Sequence, residues 1–474
     1  MTQPPGHMAD LTAGQGSSPM LPAATHTVVP HRDAVAAAAH AARSTPPGVA
    51  FAFVADDGTE PKGHAVQHAG VLGGNVLRED YPLPVCVLRA AVLERNLDRF
   101  QRYCDEAGVL LCPHAKTTMS PELFGRQLAA GAWGLTFATG PQVRVAREYG
   151  VPRIFYANQL VGAADVRFVS AELRRDPGFE FYCLVDSADG VRLLAERVAA
   201  AQPGRPLNVL VEGGLPGGRC GVRDVGTAIE VAEAVRVSGG HLVLTGVEGF
   251  EGLVASHEPS RREPDAREFL AFLAEIAETL DARGQFGDGA AANDGEVLLT
   301  AGGSAYFDLA AEELKRVRLS RPVQVVLRSG CYLAEDWGSY GDRLAEVHAR
   351  TGSARPELEP AIEVWAQVLS VPEPGLVILS AGRRDFGQDA GNPVALAHVR
   401  RGEASRRPLR DAGWRMAGVS DQHAHMAVPE GHGVAVGDLV ALGPSHPCTT
   451  FDKWRVLHLV DEDYTVTGTA RTYF

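Results

Sequence analysis

The sequence predicts an α/β protein in which a (β/α)8 barrel, a closed ring of eight parallel strands surrounded by helices, is followed by a smaller all-β domain. Eight short apolar runs alternate with stretches of helical periodicity, and buried runs that alternate with helices are typical of a parallel sheet. Eight such units within about 220 residues fit a barrel, which usually has ~250. An open, doubly wound sheet is the structural alternative, and the count of eight favours the barrel.

The eight apolar runs have the length expected of strands that are buried on both faces. Helix start and stop residues lie between them: Ser120 and Pro121 begin one helix, and Gly150 ends another. The eight runs are Val109–Cys112, Trp133–Ala138, Ile154–Ala157, Phe181–Val185, Leu207–Val211, Leu242–Val247, Val297–Thr300 and Val323–Leu327.

Changes in composition divide the chain into four parts. The N-terminal residues are rich in Pro, Ala, Gly, Thr and His and lack periodicity, which predicts a disordered tail. Polar, Gly-rich segments at 284–295 and 351–360 predict an insertion and a domain boundary, and strand-like runs follow the boundary. The predicted parts are 1–45, the tail; 46–84, a lead-in segment that can pack on the β domain; 85–345, the barrel; and 355–474, the β domain.

Charge and cysteine content exclude several classes of protein. The 474 residues carry a net charge of −13, which disfavours nucleic acid and anionic membranes as partners. No apolar run approaches the ~18–20 residues of a membrane helix. The seven cysteines are odd in number and form no CxxC pair, so a reducing cytoplasm is expected rather than a disulfide framework. No secretory signal is visible at the N-terminus.

A lysine follows the first predicted barrel strand. Lys116 lies in the segment Pro113-His-Ala-Lys-Thr117, just before the helix that Ser120 begins. This position corresponds to the C-terminal rim of a barrel, where active sites lie. An amine in a partly apolar rim has a lowered pKa and can condense with an aldehyde. The alternative is an ordinary surface lysine on a loop.

A glycine-rich turn follows the seventh predicted barrel strand. Gly302, Gly303 and Ser304 open a helix there, and backbone N–H groups at such a turn can bind a phosphate. Phosphate sites of barrels often follow strands seven and eight, and Tyr332 after the eighth strand could supply a further donor. The alternative is a simple turn.

Two histidine-containing motifs of the β domain are candidate metal sites. His446 and Cys448 lie two positions apart, so in an extended segment their side chains point the same way and can share a zinc ion. His423 and His425 could supply a third ligand, a base or an anion contact. The alternatives are a loop histidine beside an inert cysteine, and a turn with partly exposed histidines.

An arginine follows the fifth predicted barrel strand on the loop Glu212-Gly-Gly-Leu-Pro-Gly-Gly-Arg219. At the barrel rim, Arg219 could bind a phenolate or carboxylate oxygen. A surface arginine on a loose loop is the alternative.

These motifs, in this order, resemble the fold-type III pyridoxal phosphate enzymes, the alanine racemase-like barrels. Within them, the chain is most similar to the branch of D-serine dehydratase and D-threonine aldolase, from about residue 80 to the C-terminus. The segments that carry the resemblance are PHAKT (113–117), the loop 212–221, TAGGS (300–304), RSGCY (328–332), DQH (421–423) and GPSHPC (443–448).

The resemblance implies roles for individual residues. Lys116 would hold pyridoxal phosphate through an imine and act as the catalytic base, and Arg219 would lie near the cofactor ring. The remaining implied roles are phosphate binding by Gly302, Gly303, Ser304 and Tyr332, and zinc binding by His446 and Cys448.

The resemblance also implies a reaction. The expected function is that of a zinc-dependent D-serine dehydratase, which eliminates water from a D-β-hydroxy amino acid to give pyruvate and ammonia. Cysteine at position 448 favours this reaction, because the aldolases of the branch carry aspartate there. The alternatives are retro-aldol cleavage of D-threonine or D-3-hydroxyaspartate, and a non-catalytic pyridoxal phosphate-binding protein. A homodimer is expected.

Overall fold

The computed structural model describes residues 72–254, 258–287, 295–338, 346–352 and 356–474. The predicted tail, most of the lead-in segment, most of the insertion at 284–295 and part of the boundary at 351–360 lie outside these residues. Among the residues described, no helix is both long enough and apolar enough to cross a membrane.

Eight parallel strands form the barrel, in the sheet order β2-β9-β8-β7-β6-β5-β4-β3. A parallel bridge between His114 and Thr136 joins β2 to β3 and closes the ring. All eight predicted runs are strands, so the predicted barrel is confirmed. Their bounds are β2 Leu110–Leu111, β3 Leu135–Phe137, β4 Arg153–Gln159, β5 Glu180–Val185, β6 Leu207–Gly213, β7 Leu242–Gly249, β8 Val297–Ala301 and β9 Val323–Leu327.

Some of the helices that surround the barrel begin at a residue whose side chain caps them, whereas the side chain of the predicted start residue Ser120 makes no capping hydrogen bond. The side chains of Ser187 and Asp224 accept hydrogen bonds from the amides of Gly190 and Thr227, at 3.2 and 2.7 Å, which satisfies amides that the helix leaves without partners. The bounds are α1 Ala90–Ala107, α2 Pro121–Ala129, α3 Gly140–Glu148, α4 Ala163–Arg175, α5 Ala188–Ala201, α6 Val225–Arg236, α7 Pro259–Ala282 and α8 Phe307–Leu314.

The β domain is one extended sheet with the strand order β13-β12-β16-β10-β1-β17-β18, to which β11, β14 and β15 are attached. Five of its strands, β10, β11, β16, β17 and β18, coincide with strand-like runs predicted from the sequence at Ile362–Val371, Leu376–Leu379, Gly433–Leu442, Trp454–Val460 and Tyr464–Thr472, with shifted ends. The bounds of the strands from β10 onward are β10 Ile362–Glu373, β11 Leu376–Leu379, β12 Val394–Val399, β13 Arg406–Pro408, β14 Arg415–Val419, β15 Ala424–Ala427, β16 Leu439–Gly443, β17 Val456–Val460 and β18 Val466–Arg471.

The first strand, β1 (Val85–Arg89), belongs to the β domain, although the predicted barrel begins at residue 85. It pairs antiparallel with β10 and parallel with β17. Val85 and Val87 pack around Trp365, whereas Cys86 and Leu88 join the main core, so both faces are covered. A strand followed at once by a helix looks like a β/α unit, and only the pairing partners distinguish the two.

Candidate active site

Three segments at the C-terminal rim of the barrel meet one loop of the β domain. Lys116 lies in a short helical turn, Ala115–Thr117, directly after β2, and it is half-buried. The turns that contain Gly302 and Gly330 follow β8 and β9, and the loop with His446 follows β16. Because the strands of a parallel barrel all end at the same rim, residues far apart in the chain come together here.

Close backbone contacts hold the barrel segments together. The amide of Arg328 donates to the carbonyl of Gly302 at 3.2 Å, and the Ser329 hydroxyl contacts the same oxygen at 3.3 Å. A Cβ atom at Gly330 would lie 2.5 Å from the carbonyl oxygen of His114. Glycine at 330 therefore lets the turn after β9 approach Pro113–Thr117, which we call the lysine segment.

A buried carboxylate already engages two amides of the predicted phosphate turn. The amides of Gly302 and Gly303 donate to Glu251 at 2.9 and 2.6 Å, and Glu251 is fully buried. Burial raises the pKa of this carboxyl, although the two amide hydrogen bonds oppose the rise. Glu251 thus fixes the conformation of the Gly302–Gly303 turn through these two hydrogen bonds.

Other amides of the two turns remain available to an anion. Within the described residues, the backbone amides of Ser304 and Gly330 donate to no protein acceptor. They lie on adjacent turns, and Ser304 adds a hydroxyl. Such a pair of turns is a suitable cradle for a phosphate.

Cys331, His446 and Cys448 form a group that we call the thiol cluster. The two sulfur atoms are 3.6 Å apart, and one ligand atom from each of the three residues lies within 4.8 Å of the others. The Cys448 sulfur is also hydrogen-bonded to the hydroxyl of Thr117 at 3.3 Å. Thr117 follows Lys116 in the chain, so the cluster borders the lysine segment.

The thiol cluster favours a thiolate. The hydrogen bond from Cys331 and the neighbouring His446 hold the pKa of Cys448 well below its usual range, while the same contact and burial raise the pKa of Cys331. Burial lowers the pKa of His446, but its contacts with Cys448 and Asp389 outweigh burial and raise it to about 9. Asp389 meets Nδ1 of His446 at 2.5 Å.

An arginine and a glutamate form a buried ion pair near the rim. Arg328 contacts Glu248 and donates to the hydroxyl of Thr300 at 3.0 Å. Burial raises the pKa of Glu248 to about 8 despite Arg328, and its Oε2 atom has no hydrogen-bond partner among the described residues. Burial and the charge of Arg328 thus shift the pKa of this carboxyl in opposite directions, and burial has the larger effect.

A second group, which we call the carboxylate cluster, consists of Asp186, Glu212 and Cys220. Asp186 accepts a hydrogen bond from the amide of Gly221 at 3.0 Å, and Glu212 accepts one from Gln159. Its carboxylates thus already have partners within the protein.

The predicted arginine reaches the rim from the glycine-rich loop. Arg219 is exposed, and its guanidinium carbon lies 5.2 Å from the centre of the Phe250 ring. Its position beside a ring near the Gly302 turn suits the predicted cofactor contact, which stays a prediction.

Tyr332 occupies a different environment from the one expected of a phosphate donor. Its hydroxyl accepts a hydrogen bond from Gln127 at 3.3 Å, and its ring stacks on Phe100 at 4.5 Å. Only 2% of the residue is exposed. The phenol therefore packs in an aromatic core, and its predicted phosphate contact stays untested.

The third side chain that lies beside His446 and Cys448 is Cys331, whereas His423 and His425 belong to the β14–β15 region. Cys331 lies in the RSGCY segment (328–332), in which the sequence analysis assigns a role to Tyr332 alone. Sequence analysis also missed Asp389 and Glu251. Their positions carry no local pattern, because each acts on a residue more than 45 positions away.

A further residue that sequence analysis missed is His114, two positions before Lys116. Its Nδ1 atom is buried without a hydrogen-bond partner among the described residues. Burial, with the positive charges of Lys116 and Arg328, holds the pKa of His114 well below its usual range. His114 therefore brings a buried, unsatisfied ring nitrogen into the same short segment as Lys116.

Comparison with protein families and sequences gives matches over the β domain and over most of the chain. Residues 361–460 match the family model "Putative serine dehydratase domain". D-threonine aldolase of Arthrobacter sp. is 28% identical over 373 residues, which cover 78% of this chain and 86% of that protein. D-threo-3-hydroxyaspartate dehydratase of Delftia sp. (strain HT23) is 27% identical over 384 residues, which cover 77% and 91%.

Solved structures share the fold. D-threonine aldolase from Filomicrobium marinum superposes with a TM-score of 0.70 at 23% identity, covering 85% of this chain and 98% of that one. An alanine racemase-like protein from Idiomarina loihiensis gives a TM-score of 0.63 at 17% identity, covering 84% and 98%. Two solved variants of D-threo-3-hydroxyaspartate dehydratase also share the fold. In one, which is metal-free, alanine replaces a cysteine; in the other, alanine replaces a histidine two positions before that cysteine.

These relatives refine the predicted reaction. They support the alternative prediction, an aldolase of D-hydroxy amino acids, better than D-serine dehydratase, although a dehydratase is among them. What they share is lyase chemistry on D-hydroxy amino acids. With its barrel, its β domain and the ordered rim motifs, this chain shares the fold of the alanine racemase-like proteins and is similar in sequence to D-threonine aldolase and D-threo-3-hydroxyaspartate dehydratase.

Proposed function

We propose that this protein is a zinc- and pyridoxal phosphate-dependent lyase that cleaves D-β-hydroxy amino acids of the D-threonine and D-3-hydroxyaspartate class between Cα and Cβ. The observation that carries the proposal is the contact between the thiol cluster and the lysine segment, the 3.3 Å bond between Cys448 and Thr117. It brings a metal-ligating group beside the amine expected to hold the cofactor.

The residues present fit pyridoxal phosphate. The unbonded amides of Ser304 and Gly330 offer donors for its phosphate, and the half-buried Lys116 offers an amine for its aldehyde. When bound, the cofactor withdraws electrons from the bonds at Cα of an attached amino acid. Because Lys116 is the amine at this rim, we assign to it both the attachment of the cofactor and the movement of a proton at Cα.

The residues of the thiol cluster also fit a metal. Two sulfurs and an imidazole are ligands typical of zinc, and hard ions such as manganese prefer carboxylates. Bound there, zinc would act as a Lewis acid toward the β-hydroxyl of the substrate. His446 and Cys448 would hold the ion, and Thr117 would keep the Cys448 sulfur directed toward the lysine segment.

Loss of water is the second candidate reaction, and Cys448 is the observation that favours it. The two solved variants of D-threo-3-hydroxyaspartate dehydratase alter a histidine and a cysteine that have the same spacing as His446 and Cys448. In both reactions the chain must bind the β-hydroxyl near the metal. They differ in whether the Cα–Cβ or the Cβ–O bond breaks.

The test is product analysis with purified holoenzyme and a panel of D-threonine, D-3-hydroxyaspartate and D-serine. We expect glycine and an aldehyde or glyoxylate, with loss of turnover on chelation and recovery with zinc. A keto acid and ammonia would instead support the second candidate, and D-serine turnover would restore the original prediction. Full activity after verified removal of the metal would contradict the metal role.

Lys116→Ala tests the cofactor role. We expect loss of the visible absorbance of the lysine-bound cofactor and a fall in turnover of at least about 1,000-fold, since the amine acts in both attachment and proton transfer. Lys315→Ala, on an exposed surface away from the rim, is the matched control. A variant at 116 that kept the absorbance would overturn the assignment.

The expected homodimer and the cytoplasmic location stay predictions. Light scattering of the purified holoenzyme tests the first.

A further inference from the structure

We propose that Cys331 is a third protein ligand of the metal, so that the site is a Cys2His centre rather than a histidine–cysteine pair. This inference rests on the proposed function, because it assumes that the thiol cluster binds a metal. It goes beyond that function by assigning a ligand and a preference for soft ions.

The separation of the two sulfur atoms fits a shared zinc ion. Zinc–sulfur bonds are about 2.3 Å long, and the ligands of zinc are usually arranged as a tetrahedron. Two sulfurs bound to one zinc ion therefore lie about 3.7–3.8 Å apart. The Sγ atoms of Cys331 and Cys448 are 3.6 Å apart. The two side chains therefore need to move little to bind one ion.

The elements that carry the three donors are fixed by the fold. Cys331 begins a short helical turn after β9 and is buried, and Gly330 before it packs on the backbone of His114. Cys448 begins the short helix Cys448–Phe451, which contacts the Ala115–Thr117 turn. Barrel and β domain thus each contribute a sulfur.

The imidazole is held in the orientation that a ligand requires. Asp389 meets Nδ1 of His446 at 2.5 Å and also accepts a hydrogen bond from Thr449 at 2.6 Å. A metal-bound histidine usually donates its other ring N–H to such a carboxylate. We therefore expect Nε2 of His446 to be the ligand atom.

Three protein ligands leave one tetrahedral position for the substrate. Catalytic zinc sites commonly have three protein ligands and an open position, and a site with two cysteines and one histidine is a known form. Two thiolates also make the centre soft, so that zinc binds in preference to manganese or magnesium. The β-hydroxyl of the substrate would occupy the open position.

The experiment counts sulfur ligands with X-ray absorption at the zinc edge of the zinc-loaded holoenzyme. We expect two sulfurs at about 2.3 Å in the wild-type protein and one in Cys331→Ser. Chelator competition on the same proteins should show zinc affinity falling by on the order of 10–100-fold or more in the variant. A wild-type spectrum with one sulfur, or an unchanged spectrum in the variant, overturns the proposal.

A matched control and a second variant complete the test. Cys220→Ser alters the cysteine of the carboxylate cluster and should change neither the sulfur count nor the affinity. Loss of zinc in that variant, or a Cys331–Cys448 disulfide in zinc-loaded wild-type protein, contradicts the proposal. If Cys331→Ser does not fold, Cys331→Ala replaces it, and the wild-type count remains decisive.

The outcome is independent of the proposed reaction. Two sulfurs without turnover of any D-β-hydroxy amino acid would uphold Cys331 as a ligand and refute the proposed function. Turnover by an enzyme with only one sulfur ligand would uphold the proposed function and refute Cys331 as a ligand.

Discussion

The thiol cluster and the carboxylate cluster hold the same number of ligand-type side chains within the same span, yet their surroundings differ. In the thiol cluster, Cys331 is buried and both sulfurs lie on short helical turns. In the carboxylate cluster, Cys220 is exposed on a glycine-rich loop, and the two acids are engaged by Gly221 and Gln159.

The difference shows that proximity alone does not make a metal site. A ligand set must be held near its bound geometry, and its donors must not be committed elsewhere. The histidine of the thiol cluster is oriented by Asp389, whereas the acids of the carboxylate cluster already accept hydrogen bonds from the protein. We therefore expect only the first to bind zinc.

The largest expected effect comes from removing the imidazole. His446→Ala should weaken zinc binding by more than about 100-fold, because loss of a ligand exceeds the 10–100-fold cost of losing a ligand's hydrogen-bond partner. Glu212→Gln should leave zinc binding unchanged within about twofold, since Glu212 already hydrogen-bonds to Gln159. Zinc titration with a competing chelator measures the zinc affinity of both variants. A larger loss of affinity in Glu212→Gln than in His446→Ala would mean that the carboxylate cluster is the zinc site.

Asp389→Asn tests whether orientation explains the difference between the clusters. Asp389 lies outside the ligand set, and the expected loss of zinc affinity is about 10–100-fold. The sulfur count at the zinc edge should stay at two, because both cysteines remain. A drop in the sulfur count, or no change in affinity, would mean that this carboxylate does not orient His446.

Glu251→Gln tests a carboxylate whose partners are backbone amides. An amide side chain has one acceptor oxygen instead of two, so one charged hydrogen bond to the Gly302–Gly303 turn is lost. At ~1.5 kcal/mol for the lost bond, affinity for pyridoxal phosphate should fall roughly tenfold. Equilibrium dialysis of the cofactor measures this, and zinc affinity should not change. Unaltered cofactor affinity would show that Glu251 does not shape the phosphate turn.

Glu248→Gln should have the smallest effect, on the pH dependence of stability. The pKa of Glu248 is raised from its usual 4.5 to about 8 in the folded protein. The protonated Glu248 contributes fully to the free energy of unfolding below about pH 4.5. This contribution is lost as pH rises through about 8, because the folded state must then ionise a buried carboxyl. Between pH 6 and 9, the melting temperature of the Glu248→Gln variant should therefore fall less than that of the wild-type protein. Parallel curves for both proteins would contradict the raised pKa.

Short, apolar barrel strands were the easiest feature to predict. The runs from Val109–Cys112 to Val323–Leu327 coincide with β2 to β9, since burial on both faces leaves an apolar run whatever its neighbours are. Strands β12 to β15 were missed; Arg406–Pro408, for example, is exposed along its whole length. An exposed edge strand has no pattern of buried residues from which it could be predicted.

The sequence by itself determined the fold class, because strands buried on both faces leave apolar runs. It predicted Lys116, His446 and Cys448 as site residues through the resemblance of short motifs to a known family, and these roles stay predictions. Only the tertiary structure decided that Val85–Arg89 belongs to the β domain, that Cys331 lies beside His446 and Cys448, and that Glu251 binds the amides of the Gly302–Gly303 turn. The physical reason is that strand pairing and contacts between side chains arise where distant segments meet at a barrel rim, and no local pattern records which segments meet.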